Sequence, residues 1–291
     1  MKSKDLKRMR KILPTCDQVK KIKCPICDAE MEINNNSSLV CHGARRHCYD
    51  FASSGYVNLM KPGHTGSGDS KEAVRARRDF LSLDLYRPAA DALADVLSEY
   101  IDEPSAVVID AGCGEGYYTS IIAKKGFAVS GVDISRYAAE AAAKRAAACG
   151  IENGFFCVGS VYELPFADNS ANAVVNVFAP CAETEFSRVL KSGGILAVAY
   201  AGPEHLMGLK EIIYDEAHKN DERADMPREM ELLEERRIKF DIKVDGNENI
   251  QNLFAMTPYY WRTSVSDSEK LKGLDSLNTE VDIKIAVYKK A

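Results

Sequence analysis

A doubly wound α/β sheet behind a small cysteine- and histidine-rich module is the fold class that this sequence predicts. Three observations carry it. Strand-like apolar runs alternate with helical segments from residue 106 onward, the pattern of a mostly parallel sheet with helices on its faces. The run Ala106-Val107-Val108-Ile109 ends in Asp110-Ala111-Gly112-Cys113-Gly114-Glu115-Gly116 and opens a helical segment over 117–125, which reads as strand, glycine turn and helix N-terminus. Cys24-Pro25-Ile26-Cys27 heads a short segment with further Cys and His residues. In a sheet of this kind the ligand lies at the carboxyl ends of the strands.

The elements follow in order. Residues 1–23 hold nine Lys or Arg and read as a basic leader, partly helical and loosely ordered. Residues 24–60 form the cysteine–histidine module. Residues 61–100 begin with a linker over 61–69, rich in Gly and Ser, and continue as a helical segment. Residues 101–291 form the α/β domain. Its strands are expected over 106–109, 128–132, 155–158, 173–178 and 195–200, with Gly193-Gly194 turning the chain into the last. Ser135 caps a helix over 136–149 and Gly150 ends it. Val281, Ile283, Ile285 and Val287 alternate with Asp282, Lys284, Ala286 and Tyr288, which predicts a half-buried antiparallel strand.

Composition bounds the function classes. The chain has 291 residues, 46% hydrophobic and 28% charged, ordinary values for a globular protein of one sizeable and one smaller domain. No apolar run approaches the roughly 20 residues of a membrane span, and no secretory h-region is visible. Nine cysteines without such a signal point to a reducing compartment, the cytoplasm, where thiols bind metal or fill cores. The net charge of −5 is unevenly spread: residues 1–88 carry 17 Lys and Arg against 10 Asp and Glu, and the remainder carry 21 against 33. Such asymmetry suits a polyanion-binding module joined to an acidic domain, or a solvated basic tail.

The glycine turn is spaced G-x-G-x-G, and Tyr117 breaks the dinucleotide pattern G-x-G-x-x-G. Asp110 before it is unhelpful to a pyrophosphate but useful to a ligand carrying an ammonium group. The second strand ends in Asp133, about 20 residues on, where a carboxylate can accept ribose hydroxyls. With Gly112, Gly114 and Gly116 letting backbone approach the ligand, this pattern resembles motif I of class I S-adenosylmethionine (SAM) methyltransferases. In the module, Cys24, Cys27 and Cys41 have the spacing of a tetrahedral zinc site, and a segment this small needs a metal to fold. Spacing leaves the fourth ligand open between His42, His47 and Cys48. Cys16 reads as free, and Cys113, Cys149, Cys157 and Cys181 as packing residues.

Together these features resemble the zinc-containing 23S rRNA (guanine-N1)-methyltransferases, from about residue 24 to the end. The match rests on Cys-Pro-Ile-Cys at 24–27, Arg46-His47-Cys48-Tyr49-Asp50, Gly55-Tyr56-Val57-Asn58-Leu59, Ala76-Arg77-Arg78-Asp79-Phe80-Leu81 and Tyr86-Arg87-Pro88. It continues through the 110–118 turn, Ala179-Pro180-Cys181, Gly202-Pro203-Glu204-His205-Leu206-Met207 and Met256-Thr257-Pro258-Tyr259-Tyr260-Trp261-Arg262. The resemblance implies a Rossmann-like class I sheet, SAM and Zn2+ as cofactors, and Tyr86, Gly114, Glu115 and His205 as SAM contacts. It favours His47 as fourth zinc ligand, although the gap from Cys41 to His47 exceeds the family's usual one. It further implies a large-subunit ribosomal RNA hairpin as partner, gripped by the 24–60 module, and a homodimer, with no role for a membrane. Lys191-Ser192-Gly193-Gly194 departs from the family's Pro-Gly-Gly in a turn.

Methyl transfer to guanine N1 requires loss of the N1 proton, and the sequence names no residue for that task. Trp261 is expected to pack between the terminal elements. Arg45, Arg77 and Arg78 are candidates for phosphate contacts or for salt bridges. Two other readings compete: a small-molecule methyltransferase with a purely structural zinc knot, and a non-catalytic zinc-dependent RNA-binding protein.

Overall fold

The structure, a computed structural model, describes residues 12–63, 68–103, 105–221 and 226–291. Leader residues 1–11, linker residues 64–67, residue 104 and residues 222–225 lie outside the described residues. The short helix α1 (Cys16–Val19) is followed by a three-stranded antiparallel sheet, β1 (Met31–Asn34), β2 (Ser38–Cys41) and β3 (Cys48–Asp50). Then come β4 (Val57–Asn58), the helices α2 (Lys71–Leu81) and α3 (Arg87–Tyr100), and the alternation β5 (Val107–Ala111), α4 (Tyr117–Ala123), β6 (Ala128–Asp133), α5 (Arg136–Ala148), β7 (Gly154–Val158), β8 (Ala171–Val177), α6 (Glu183–Val189) and β9 (Leu190–Ala201). The chain closes with α7 (Met207–Ile213), β10 (Glu231–Asp245), α8 (Asn247–Ala255), a 3-10 turn over Pro258–Trp261, α9 (Val265–Glu269) and β11 (Ser276–Lys289).

The large sheet has eight strands in the order β10-β11-β9-β8-β5-β6-β7-β4. Six run parallel, and β11 enters antiparallel between β9 and β10. β5 lies at the centre, where the connection reverses direction, so its carboxyl end opens the crevice expected of such sheets. Every expected strand is present. Ser135 caps α5 by accepting from the Ala138 amide, as its position before an alanine-rich run dictates.

β10 is absent from the sequence-based expectations. Yet Ile238, Phe240, Ile242 and Val244 alternate with Arg237, Lys239, Asp241 and Lys243, a period-two signal as clear as that of β11. Burial of β11 also exceeds the expected half. Asp282, Ala286 and Tyr288 on its second face are buried as well, because the strand is interior and both faces of the sheet are covered.

One face of the sheet, with Val108, Val129, Val175, Ala197 and Ile285, packs against helices α2, α3, α4, α5, α7 and α8. The alternate residues Ile109, Val132, Val174, Leu196 and Ala286 face the other way, as strand periodicity requires. There α6 is joined by the cysteine–histidine module: Val19, Ile22, Met31, Leu39, Cys41, Phe51, Val57 and Leu59 share a core with Phe155, Phe166 and Phe186. β4 extends the sheet by pairing with β7, and the Gln18 side-chain amide donates to the carbonyls of Val129 and Asn153. The described part of the leader is therefore held in place rather than loose, with Ile12 buried in the helical core. Deleting residues 1–60 would expose these side chains at roughly 1.5–3 kcal/mol each and strip a strand from the sheet. It is a poor probe of RNA binding alone.

Candidate functional site: a cofactor cleft and a metal centre

The glycine turn is tight for steric reasons. Gly112 has φ +87°, and a Cβ there would stand 2.5 Å from the Cβ of Ala179. Gly116 has φ +83°, and its Cβ would meet Ala142 at 2.9 Å. The turn thus fits only glycine where β5 passes beneath the loop after β8 and beside α5. Gly114 differs: its φ is +55°, and a Cβ would find only the flexible end of Arg77, at 3.7 Å.

Three carboxylates crowd this turn. Asp110 is 1% exposed and accepts from Thr119 Oγ1 at 2.5 Å, but its Oδ1 is buried without a partner. Burial, helped by the neighbouring Asp133 charge and opposed by the Thr119 bond, raises its carboxyl to about 7. Glu115 pairs with Arg145 at 2.5 Å and also leaves one oxygen, Oε1, buried and unpartnered. Burial raises its carboxyl, against the pull of Arg145 and Arg77. An orphaned buried oxygen costs on the order of 1–3 kcal/mol, so two of them mark a place where a ligand bearing donors or positive charge is welcome. Asp133 Oδ2 accepts from the Gly114 amide at 2.9 Å and Oδ1 from the Ser135 amide at 2.8 Å. Each oxygen keeps a lone pair for a hydroxyl, and the carboxylate also pins the turn.

Tyr86 and His205 meet one layer away. Tyr86 Oη lies 3.3 Å from His205 Nε2, and the Asp282 amide donates to His205 Nδ1 at 3.2 Å. The second bond assigns the proton to Nε2, so His205 donates to Tyr86. Burial dominates the titration of His205 and lowers it to about 4, which keeps the ring neutral. Phe178, at φ +51°, stacks on His205 at 5.6 Å, and Leu206 beside it has φ +57°. Two non-glycine residues in left-handed conformations on either side of His205 are the kind of strain that gathers at functional sites.

A candidate metal centre is equally well defined. Cys24, Cys27, Cys41 and His47 bring their donor atoms within 4.8 Å of one another. His47 Nδ1 lies 3.5, 3.4 and 3.5 Å from the three sulfurs, and the sulfurs of Cys27 and Cys41 are 3.7 Å apart. A tetrahedron with metal–sulfur bonds of about 2.3 Å has edges of roughly 3.8 Å, so the donor set fits zinc and excludes disulfides. His42 instead faces Glu32 at 3.6 Å, and Cys48 points to Asp50 at 3.9 Å. Burial resists ionisation of the Cys41 thiol, yet the amides of His47 and Gly43 bring it down to about 6. The Tyr49 hydroxyl reaches Cys24 Sγ at 3.3 Å.

Other expectations divide. Arg77 and Arg78 form salt bridges with Asp69 and Asp79, whereas Arg45 is exposed and makes no ion pair among the described residues. Arg77 lies beside Gly114 of the glycine turn. Residues 68–70 cross the mouth of that turn, with Ser135 Oγ donating to the Asp69 carbonyl at 2.7 Å. Trp261 does not pack between the terminal elements: it is 76% exposed. Cys113 and Cys157 are buried as expected, but Cys149 is exposed. The sequence carries no signal for the support of His205 by Asp282. The only signal for Phe178 was its place at the end of a strand, before Ala179-Pro180. No helix among the described residues is long and apolar enough to cross a membrane.

Comparison with known proteins agrees with this geometry. A family model described as a methyltransferase domain matches residues 102–255, and one described as the RlmA N-terminal zinc ribbon matches residues 22–66. A Bacillus subtilis protein provisionally named 23S rRNA (guanine-N(1)-)-methyltransferase YxjB is 28% identical over 91% of this chain and 95% of its own. A similarly named Micromonospora griseorubida protein is 30% identical over 66% of this chain and 70% of its own. The Streptomyces fradiae 23S rRNA (guanine(748)-N(1))-methyltransferase is 27% identical over 84% of this chain and 86% of its own.

Proposed function

Since the chain belongs to the zinc-ribbon 23S rRNA (guanine-N1)-methyltransferase family, we propose that it methylates N1 of a guanine in a hairpin loop of large-subunit ribosomal RNA, in the cytoplasm. The observation that carries this reading is the joining of a Cys3His centre and a SAM-type glycine turn in one core, with relatives matched across both. SAM supplies an electrophilic methyl group on a sulfonium. Asp110 receives the ligand's ammonium, Asp133 its ribose hydroxyls, and Gly112, Gly114, Glu115 and Gly116 form the floor. Tyr86 and His205 wall the cleft. Cys24, Cys27, Cys41 and His47 hold zinc, and the 24–60 stretch grips RNA while the 101–291 stretch transfers the methyl group. The homodimer implied by the resemblance belongs to the same proposal.

In the reaction an N1–C bond would form as the C–S bond breaks, the C–S electron pair leaving on the thioether sulfur and the N1 proton passing to water. His205 orients Tyr86 rather than accepting that proton, since its Nε2 already carries one. Cys113 is no nucleophile, because burial holds its thiol well above the usual range. What remains for the protein is to place the acceptor in line and exclude competing water.

Incubation with labelled SAM and unmodified large-subunit ribosomal RNA should give a reverse-transcriptase stop at one loop guanine, because N1 methylation blocks Watson–Crick pairing. Label transfer to small molecules alone, with no stop in the RNA, would refute the proposal.

SAM affinity should also depend on pH. A cationic ligand favours ionised Asp110, so the complex holds fewer protons than the free enzyme whose carboxyl sits at about 7. Affinity should therefore rise with pH up to about 7 and level off above, by at most about tenfold per pH unit. Calorimetry in buffers of different ionisation enthalpy should show proton release. Asp110→Asn should flatten the profile; an unchanged profile would remove Asp110 from the ammonium site.

A further inference from the structure

Nine large apolar side chains are exposed among the described residues, and three of them, Tyr260, Trp261 and Val265, fall within six consecutive positions. Scattered apolar residues need no explanation, but a cluster does. Trp261 meets Tyr260 edge-on at 5.1 Å, and Tyr260 rests on the buried Phe254 at 5.4 Å. Tyr259, the next residue back, turns inward. Its hydroxyl lies 3.1 Å from Asn220 Oδ1, and the Asn220 amide donates to the carbonyls of Gly202 and His205. The 3-10 turn is thus fastened to the backbone that positions His205. On the other side of His205, Phe178 stacks one ring face on the imidazole and is itself 46% exposed. One exposed ring therefore touches His205, and the other two ride on the turn that is tied through Asn220 to its backbone.

We propose that Phe178, Tyr260 and Trp261 form a base-stacking rim for unpaired loop nucleotides, with Phe178 nearest the target guanine and Trp261 under a neighbouring base. The inference rests on the ribosomal RNA reading and names the surface that holds the splayed loop. Aromatic faces accept any base, and RNA loops are recognised by stacking their unpaired bases on such rings. Charge agrees. Arg262 is exposed beside Trp261 and makes no ion pair among the described residues. The acidic residues of α9 are already matched, Asp267 by Lys270 at 2.9 Å and Glu269 by Lys272 at 3.0 Å. An exposed guanidinium at the edge of two rings suits a nucleotide, whose phosphate and base need both.

Trp261 is the only tryptophan in the chain, so intrinsic fluorescence reports this surface alone. Titration of the zinc-loaded protein with a large-subunit ribosomal RNA hairpin should quench it, and the same strand annealed into a full duplex should not. Trp261→Ala should weaken hairpin binding by roughly five- to 150-fold without changing SAM affinity, and Trp261→Phe should restore most of the loss. Hairpin retention on filters with unchanged fluorescence, and wild-type binding by Trp261→Ala, would overturn the rim while leaving the RNA reading standing. Absence of hairpin binding by the wild-type protein would overturn both. A fluorescence change that follows protein concentration without RNA would assign the surface to a second copy of the chain and also overturn the rim.

Discussion

Cys24→Ser should release the zinc, melt the 24–60 segment and abolish methylation of ribosomal RNA. Metal binding supplies most of the folding free energy of such a centre, on the order of 10 kcal/mol in small zinc peptides, and a serine hydroxyl is a poor substitute for thiolate. Wild-type protein should carry one zinc per chain by elemental analysis, and the variant none. Because Met31, Leu39 and Cys41 share a core with Phe155 and Phe166, the α/β domain should lose stability too. Its melting temperature should fall by roughly 2–4 °C for each kcal/mol lost. SAM binding should persist only below that lowered melting temperature, since no residue of the glycine turn takes a hydrogen bond from the metal centre in the structure. Full ribosomal RNA methylation by a zinc-free variant would end the proposed role of the module.

A second large effect should come from the glycine turn, and the structure separates two positions that the sequence makes look alike. Gly112→Val places a Cβ against Ala179 and forces a β-branched residue to φ +87°. Strain and overpacking together should cost roughly 2–6 kcal/mol, so both SAM binding and the melting temperature should collapse. Gly114→Ala meets only the end of Arg77, so the fold should survive while the new methyl group obstructs the ligand. Asp133→Ala removes the proposed acceptor of the ribose hydroxyls and also frees the amides of Gly114 and Ser135. Its affinity loss should reach at least roughly 1.5–3 kcal/mol, about ten- to 150-fold. Normal SAM binding by both Gly114→Ala and Asp133→Ala in calorimetry would show that the cofactor lies elsewhere.

The sequence by itself determined whatever depends on residues close along the chain. Apolar period and capping determined β5 to β9, β11 and α5, and β10 carries the same period-two signal. The spacing of Asp110, Gly112, Gly114 and Gly116 announced the turn, because each glycine there answers a backbone requirement that is local. Cys24 and Cys27 announced a metal for the same reason: two thiols on one hairpin need no distant partner to be near each other. Tertiary structure decided what depends on residues far apart. His47 joins the sulfurs of Cys24, Cys27 and Cys41, and His42 and Cys48 do not, because the path from β2 to β3 turns the His47 imidazole inward and sends the His42 imidazole to Glu32 and the Cys48 thiol to Asp50. The module sits on the sheet rather than beside it because apolar residues on both partners, unremarkable one by one, add to a single buried core. Trp261 lies open because α8 and the 3-10 turn direct Tyr259 inward in its place. Burial keeps His205 neutral and a backbone amide 77 residues away places its proton on Nε2, and spacing in sequence carries no record of either.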